Sequence, residues 1–290
     1  MRVPIGRLAG LDFRARLGPF RVVLSARHIV SRDGITVADV ACRHEAGRGA
    51  VTEQIGRHSL VFVRRGRFLR TADGVEALLD PTVAYCTNPG EEERYDHPDR
   101  HGDDCTALHF DGGLVASLWG GAPALPSGAL PTPPGVDLEH RMLLAAVRRG
   151  ADEHDVVERA IALAARALAT RDPRRVASGR PATARARRAL ADGAREALAA
   201  VPERSLPELA RALAVSPHHL SRVFHAATGH TIARHRMRLR SRAALERLAG
   251  GERDLARLAA DLGFVDQSHL CRVLRSETGR TPSALRHALA

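Results

Sequence analysis

The sequence predicts an α+β protein, with a small β-barrel or jelly roll followed by an all-α C-terminal domain that carries two helix-turn-helix units. Short apolar runs separated by turn signals recur between residues 20 and 110, as in a sheet of short strands. Apolar residues recur at helical spacing from about residue 137 onward. In the last third, a pattern of two short helices joined by a tight turn occurs twice.

The N-terminal strands are predicted from apolar runs that alternate with reversal signals such as Asp33-Gly34 and Asp73-Gly74. Residues 1–20, rich in Gly and Pro, predict an arm with little regular structure. The polar segment Glu91–Asp104 predicts a long exposed loop. The predicted strands are Phe20–Ala26, Ile35–Val40, Ser59–Val63, Arg67–Leu69, Thr82–Cys86 and Thr106–Phe110.

The domain prediction is an N-terminal domain at 1–121 that includes the arm, a linker with accessory helices at 122–182, and a C-terminal domain at 183–290. Helices are expected at 137–149 and 153–170, where apolar residues form stripes. These stripes need a partner face. Packing against the barrel and a dimer interface are both consistent with the pattern.

The helices of the C-terminal domain are expected at five further segments besides the first helix-turn-helix pair. The paired helices are predicted at Glu208–Leu213 and Pro217–Ala226, with Ser216 as the N-cap and Pro217 at the first helical position. The other predicted segments are Ala184–Ala199, Ile232–Ala249, a helix capped by Asp254, Asp266–Ser276 and Ser283–Ala288.

Positive charge is concentrated at the C-terminal end. Residues 183–290 contain 19 arginines and 10 acidic residues, whereas residues 1–182 contain 25 and 23, and every basic residue that makes up the net charge of +11 is Arg. A basic domain on a nearly neutral remainder is typical of a polyanion-binding protein. The charge alone is also consistent with a solvated surface.

The two helix-turn-helix copies align closely. Leu209-Ala210 corresponds to Leu258-Ala259 at an offset of 49, and Arg222 corresponds to Arg272 at an offset of 50. The second turn therefore contains one extra residue. In each copy the apolar residues of the second helix fall on one face and hydrogen-bonding residues fall on the other.

These polar faces suit base reading in a major groove, because Arg can bind guanine O6 and N7 together and Gln can pair with adenine. A solvated polar face is the alternative for either helix alone, but two matched copies favour readout. The connecting helix at 232–249, about 27 Å long, could place both helices in successive major grooves about 34 Å apart. Arg240, Arg275 and Arg280 are candidate phosphate contacts.

The C-terminal motifs resemble the DNA-binding domain of the AraC/XylS family of bacterial transcription regulators. Leu270 and Leu274 stand where that family usually has aromatic residues, which is a packing change. The strand-rich half resembles, much more weakly, the cupin-like sensor or dimerisation domain that often precedes this module. The motifs are Ser216-Pro217-x-x-Leu220-Ser221-Arg222-x-Phe224, Arg240-x-x-x-Ala244, Leu262-Gly263-Phe264-x-Asp266-Gln267-Ser268-x-Leu270-x-Arg272-Val273 and Gly279-Arg280-Thr281-Pro282-Ser283-x-x-Arg286.

The resemblance implies a sequence-specific regulator that binds double-stranded DNA, with a cupin-like first domain that binds an effector or a partner. A second copy of the chain and RNA polymerase are further candidate partners. The implied base-contacting residues are His218, Ser221 and Arg222 in the first unit, and Gln267, Ser268, His269, Cys271 and Arg272 in the second.

No enzymatic or cofactor chemistry is predicted for the N-terminal half. His97, His101 and His109 with Cys86 and Cys105 lack the spacing of the cupin metal motif, so solvated loop histidines and buried cysteines are expected, with no metal, cofactor or catalytic residue. A thiol sensor formed by Cys86 and Cys105 is a minor hypothesis.

Two other functions compete with regulation: a cupin-type enzyme with a DNA-binding tail, and an architectural DNA binder without sequence preference. The enzyme hypothesis predicts turnover and bound metal. No apolar run of about 18 residues is present, so the sequence predicts no membrane span and a cytoplasmic protein with free thiols.

Overall fold

The chain forms two compact units, each described here by itself. The first combines Met1–Thr132 with Ala146–Pro173, and the second combines Pro133–Ala145 with Arg174–Ala290. The predicted middle segment, 122–182, is thus shared between both units. The computed structural model describes residues 2–3, 13–17, 22–44, 50–97, 102–171 and 181–290.

The first unit contains two β-sheets. The five-stranded sheet has the order β1-β5-β10-β7-β8, and the seven-stranded sheet has the order β12-β9-β6-β11-β4-β3-β2. The strands are β1 Arg2–Val3, β2 Phe13–Leu17, β3 Val22–Arg32, β4 Ile35–His44, β5 Ala50–Gln54, β6 His58–Arg65, β7 Phe68–Ala72, β8 Val75–Leu79, β9 Val83–Thr87, β10 Glu92–Asp96, β11 Asp103–Phe110 and β12 Ala129–Pro131.

The sheet-rich first half and the helical second half confirm the predicted α+β class. Each of the six predicted strands overlaps an observed strand, namely β3, β4, β6, β7, β9 and β11, although residues 20–21 of the first lie outside the described residues. The predicted arm at 1–20 lies mainly outside the described residues, but Phe13–Leu17 forms β2 and pairs with β3. The cupin-like character of this unit stays a prediction.

The expected exposed loop at Glu91–Asp104 is wrong at both of its ends, since β11 begins at the buried Asp103. Residues Glu92–Asp96 form β10, which pairs with β5 and β7 in the middle of its sheet. Glu93 is fully buried. Its carboxylate accepts hydrogen bonds from Arg70 Nε at 2.6 Å and from the Tyr95 hydroxyl, which offset the cost of removing it from water. The ion pair makes a polar strand compatible with the interior. Within this segment, residues 98–101 lie outside the described residues.

Two helices complete the first unit, α1 at Gly112–Leu118 and α3 at Glu153–Leu168. Asp152 caps α3 by accepting a hydrogen bond from the Asp155 amide. The buried stripe of α3 packs against β3, β4 and β12, so the second predicted accessory helix covers the sheet.

The second unit consists of helices. In the part of the chain that the structure describes, no helix combines the length and apolarity needed to cross a membrane. The helices are α2 Pro134–Arg148, which belongs to this unit as far as Ala145, α4 Pro181–Ala200, α5 Leu206–Ala212, α6 Pro217–Thr228, α7 Ile232–Ala249, α8 Leu255–Asp261, α9 Gln267–Thr278 and α10 Pro282–Leu289.

Two apolar cores lie along α7. Ile232 and Leu239 belong to the core formed by α4, α5 and α6, whereas Ala244 and Leu245 belong to the core formed by α8, α9 and α10. Residues of α2 join this second core through Leu138 and Met142. The first accessory helix therefore completes the helical unit, which neither sequence interpretation anticipated.

Candidate nucleic-acid interface

The first helix-turn-helix unit, α5 and α6, is fixed by its helix caps. Ser205 and Glu208 form a capping box at the start of α5. The Ser216 hydroxyl accepts a hydrogen bond from the His219 amide at 3.2 Å, and Pro217 opens α6 as predicted. Gly229 ends α6 in the left-handed conformation, with φ of 76°.

The second helix-turn-helix unit, α8 and α9, repeats this arrangement with different capping residues. Asp254 caps α8, as predicted. Asp266 caps α9 by accepting a hydrogen bond from the His269 amide at 2.6 Å. Gly279 ends α9 with φ of 74°. Equivalent caps at equivalent positions give the two reading helices, α6 and α9, the same length of 12 residues.

The two turns differ in a way that the sequence alignment anticipated. In the first turn Ala214 adopts a left-handed conformation with φ of 53°, and in the second Gly263 does so with φ of 69°. The additional residue of the second turn lies between Phe264 and the N-cap Asp266. That residue, Val265, is 86% exposed directly before α9.

Buried apolar residues determine which face of each reading helix points outward. Leu220 and Phe224 of α6 are fully buried, and so are Leu270 and Leu274 at the equivalent positions of α9. Leu270 and Leu274 are therefore core residues of the second unit, as the sequence predicted. The opposite face of each helix remains available to a ligand.

The predicted base-contacting residues occupy these outward faces, with one exception. Arg222 and Arg272 are both exposed at equivalent positions. His269 instead points back towards the second turn. Its Nδ1 accepts a hydrogen bond from the Val265 amide at 3.3 Å, and its ring packs edge-on to Phe264. The other exposed members are His218, Gln267 and Ser268, and the half-buried members are Ser221 and Cys271.

Arginines of α7 contact other residues of the helical unit. Arg234 forms an ion pair with Glu277 at 2.6 Å, and Arg242 forms one with Asp137 at 2.8 Å. Arg240 lies half-buried against Gly263, where a Cβ atom would come within 3.0 Å of its Nη2. Arg240 thus lies beside the second turn, and its role as a phosphate contact stays a prediction.

Arg275 and Arg280, the other predicted phosphate contacts, are exposed. Arg275 is in the last turn of α9, and Arg280 follows the Gly279 cap. Both residues lie at the C-terminal end of α9, and as exposed arginines they suit contact with a DNA backbone.

Residues 209–288 match the family model described as a helix-turn-helix domain. This segment is an AraC-type helix-turn-helix domain. The domain supports assignment of the chain as a DNA-binding transcription regulator. No curated protein matches the sequence.

Several solved structures are similar to the chain. The C-terminal domain of AraT, a response regulator from Geobacillus stearothermophilus, is 23% identical, with a TM-score of 0.32 over 34% of this chain and 84% of that one. The AraC-like transcriptional activator CuxR is 13% identical, with a TM-score of 0.41 over 78% and 81%. ToxT from Vibrio cholerae O395 is 10% identical, with a TM-score of 0.34 over 84% and 98%. Such low scores add nothing to the helix-turn-helix match.

The first unit contains a cavity of about 200 Å³ between strands of its two sheets. Its wall is mainly apolar, with polar side chains that include Glu53, Ser59 and His109. The His109 ring bonds to the Ser59 hydroxyl at 2.8 Å. Burial, together with the charges of Arg57 and His28, lowers the pKa of His109 to about 4. His109 is therefore neutral at pH 7.

The histidines and cysteines considered as a metal cluster are not brought together as a set. The expectation of solvated histidines is wrong at His97, which is buried and bonds to Asp103. His109 bonds to Ser59 instead. His101 lies outside the described residues. Burial raises the pKa of Cys86 to about 12 and also raises that of Cys105, which disfavours the reactive thiolates that a thiol sensor requires.

Sequence reasoning missed two features of the molecule. Val265 could be recognised in the alignment as the extra residue, but its exposure depends on the turn geometry. The proximity of Cys42 to His97 and Asp103 depends on strand register, which the sequence pattern did not reveal.

Proposed function

We propose that this chain is a sequence-specific transcription regulator that reads a bipartite DNA site with α6 and α9. The observation that carries the proposal is the pair of exposed arginines, Arg222 and Arg272, at equivalent positions of two identically capped helices. Both helices pack against the single helix α7, which contributes to both cores. One chain would therefore present two reading surfaces in a fixed relation.

Roles follow from where each side chain lies. The exposed Arg222 and Arg272 read guanine, and Gln267 reads adenine. Arg275 and Arg280 contact phosphates. His269 positions the second turn through the Val265 amide, and Arg240 supports that turn from α7. The remaining reading residues proposed are His218, Ser221, Ser268 and Cys271.

Selection of bound sequences from a random DNA pool tests the proposal. The wild-type chain should select two half-sites about one helical turn apart. Arg222→Ala should relax base preference in one half-site and Arg272→Ala in the other, each at a cost of about 1–3 kcal/mol in discrimination. Arg159→Ala, in α3 of the β-sheet unit, also removes one positive charge and should leave the base preference unchanged.

Two outcomes would contradict the reading roles. Equal weakening on every sequence would identify Arg222 and Arg272 as phosphate contacts. Selection of a single half-site per chain would remove the bipartite site while leaving DNA binding by the domain intact.

Effector control is assigned to the first unit because its cavity is enclosed mainly by apolar side chains with a few polar groups, as ligand sites usually are. Binding of a small molecule there would change DNA affinity or transcription. Repeating the selection with and without candidate molecules tests this. Sedimentation tests whether two copies of the chain associate, and transcription with purified RNA polymerase tests the contact with that enzyme.

A further inference from the structure

One end of the first unit's cavity brings together three metal-binding side chains. Cys42 lies in β4, His97 follows β10, and Asp103 begins β11. One donor atom from each, a thiol sulfur, an imidazole nitrogen and a carboxylate oxygen, lies within 4.8 Å of the other two. All three residues are buried and all three line the cavity.

The sheet register accounts for this proximity. Cys42 and Asp103 are direct partners across the antiparallel pair β4 and β11, so their side chains point to the same face. His97 Nε2 approaches Asp103 Oδ1 to 2.7 Å. Backbone hydrogen bonds of neighbouring strands thus hold two of the donors, and a side-chain hydrogen bond holds the third.

We propose that Cys42, His97 and Asp103 form a binding site for a divalent transition-metal ion of the zinc class. This set of sulfur, nitrogen and oxygen donors suits Zn²⁺, which binds them at about 2.0–2.3 Å. Tetrahedral bonds of that length place donors roughly 3.3–3.6 Å apart. Donors already within 4.8 Å of one another need only shifts of about 1 Å to reach this geometry.

Two hydrogen bonds orient the Asp103 carboxylate for binding. Asp103 Oδ1 is bonded to His97, while Oδ2 accepts a hydrogen bond from the Cys105 thiol at 3.2 Å. Metal entry replaces the first bond with one bond from each residue to the ion. The His97 proton moves from Nε2 to Nδ1 through solvent exchange, and the Cys42 thiol loses its proton to solvent. The Cys105 bond is kept and orients the carboxylate as an outer-shell partner.

The cavity gives this site an entry path and an open side. Three protein ligands leave one position of a tetrahedral ion available. Because the donors line the cavity, that position would face it and could accept water or a small molecule with an oxygen, nitrogen or sulfur donor. The proposal goes beyond the regulator function and does not depend on it.

Cobalt titration of the untagged 290-residue chain tests the site, because Co²⁺ bound to a thiolate produces a sulfur-to-metal absorption band. The wild-type chain should bind one Co²⁺ with this band, and Zn²⁺ should displace it. Cys42→Ser should abolish the band. The isosteric Asp103→Asn should weaken binding by at least the roughly 10–100-fold that loss of an outer-shell partner costs.

Three variants that each replace one of the other cysteines are matched controls. Cys105→Ser in the same cavity, Cys86→Ser elsewhere in the first unit and Cys271→Ser in the second should keep the band. Circular dichroism identifies any variant that fails to fold, and Asp103→Asn then decides the matter. Absence of a thiolate band in the wild-type chain overturns the proposal, as does a band that survives Cys42→Ser or unchanged affinity in Asp103→Asn.

Discussion

At the scale of single residues, the two helix-turn-helix units solve one backbone problem in two ways. Each turn requires a left-handed residue, which costs an L-amino acid about 1–2 kcal/mol but costs glycine almost nothing. The second turn has Gly263, whereas the first has Ala214 with φ of 53°. The first helix-turn-helix unit therefore stores strain at Ala214, an exposed residue.

Ala214→Gly should raise the free energy of unfolding by about 0.5–1 kcal/mol, because relief of the strain exceeds the added entropy of the unfolded chain. Chemical denaturation of the full chain measures this. Ala226→Gly, at an exposed position within α6, should lower it by about 0.5–1 kcal/mol. Gly263→Ala should also destabilise, since its Cβ would meet Arg240. Destabilisation by Ala214→Gly would show that the conformation is unstrained.

His109 makes the stability of the first unit dependent on pH. Its pKa is about 4 in the folded chain, against 6.5 for an ordinary histidine, so the unfolded chain binds the proton more readily between these values. The free energy of unfolding is therefore unaffected by protonation of His109 above pH 6.5. It decreases as the pH falls towards 4, by at most about 3 kcal/mol.

Melting temperatures of the wild-type chain and His109→Gln, measured from pH 7 to pH 4, test this linkage. The wild-type stability should fall more steeply with acidification than that of the variant. Parallel curves would mean that His109 is protonated equally in both states.

At the scale of elements, α7 is the part of the second unit on which the others depend. Its arginines alternate between partners on different elements: Arg234 pairs with α9 and Arg242 pairs with α2. The Asp137 carboxylate that receives Arg242 is only 3% exposed and also accepts from Arg141 at 3.1 Å. A buried carboxylate needs both cations because desolvation is expensive.

Arg242→Met should destabilise the second unit by about 1–3 kcal/mol, since it leaves the buried Asp137 under-compensated. Hydrogen exchange should accelerate in Pro134–Ala145. The double variant Asp137→Leu/Arg242→Met should recover most of the loss, because neither charge then remains buried. A double variant as unstable as the single one would assign the loss to packing of the Arg242 side chain.

Local signals made the helical elements predictable. Ile232–Ala249 was predicted with its observed bounds, and the caps at Ser216 and Asp254 were recognised from residue type. Strand β10 was missed because Glu93 is stabilised by Arg70, 23 residues away, and local polarity indicates only a loop. Likewise, Cys42 and Asp103 become neighbours only through strand register.

At the scale of the whole molecule, charge separates the two halves of the chain. The surplus of nine positive charges in residues 183–290 attracts DNA regardless of sequence, but many α7 arginines are already engaged internally. Net charge therefore overstates the number of phosphate contacts. The exposed Arg275 and Arg280 are the side chains through which this general attraction should be measurable.

Arg275→Ala and Arg280→Ala should each weaken binding equally on specific and non-specific DNA. Each should also reduce the slope of log K against log salt concentration by about 1, because one fewer counterion is released. Fluorescence anisotropy over a salt series measures both effects. Arg240→Ala, which removes a half-buried side chain, should leave the slope nearly unchanged, whereas a fall of about 1 would identify Arg240 as a phosphate contact.

Residues Pro133–Ala145 belong to the helical unit although 28 residues of the other unit, Ala146–Pro173, separate them from the rest of it. The helical unit is consequently not a cassette that can be exchanged by joining two genes at residue 183. A chimera made there would keep both reading helices but lack Leu138 and Met142 from the second apolar core. A junction upstream of residue 133 would instead separate α3 from the strands β3, β4 and β12 that it covers, so neither junction leaves both units whole.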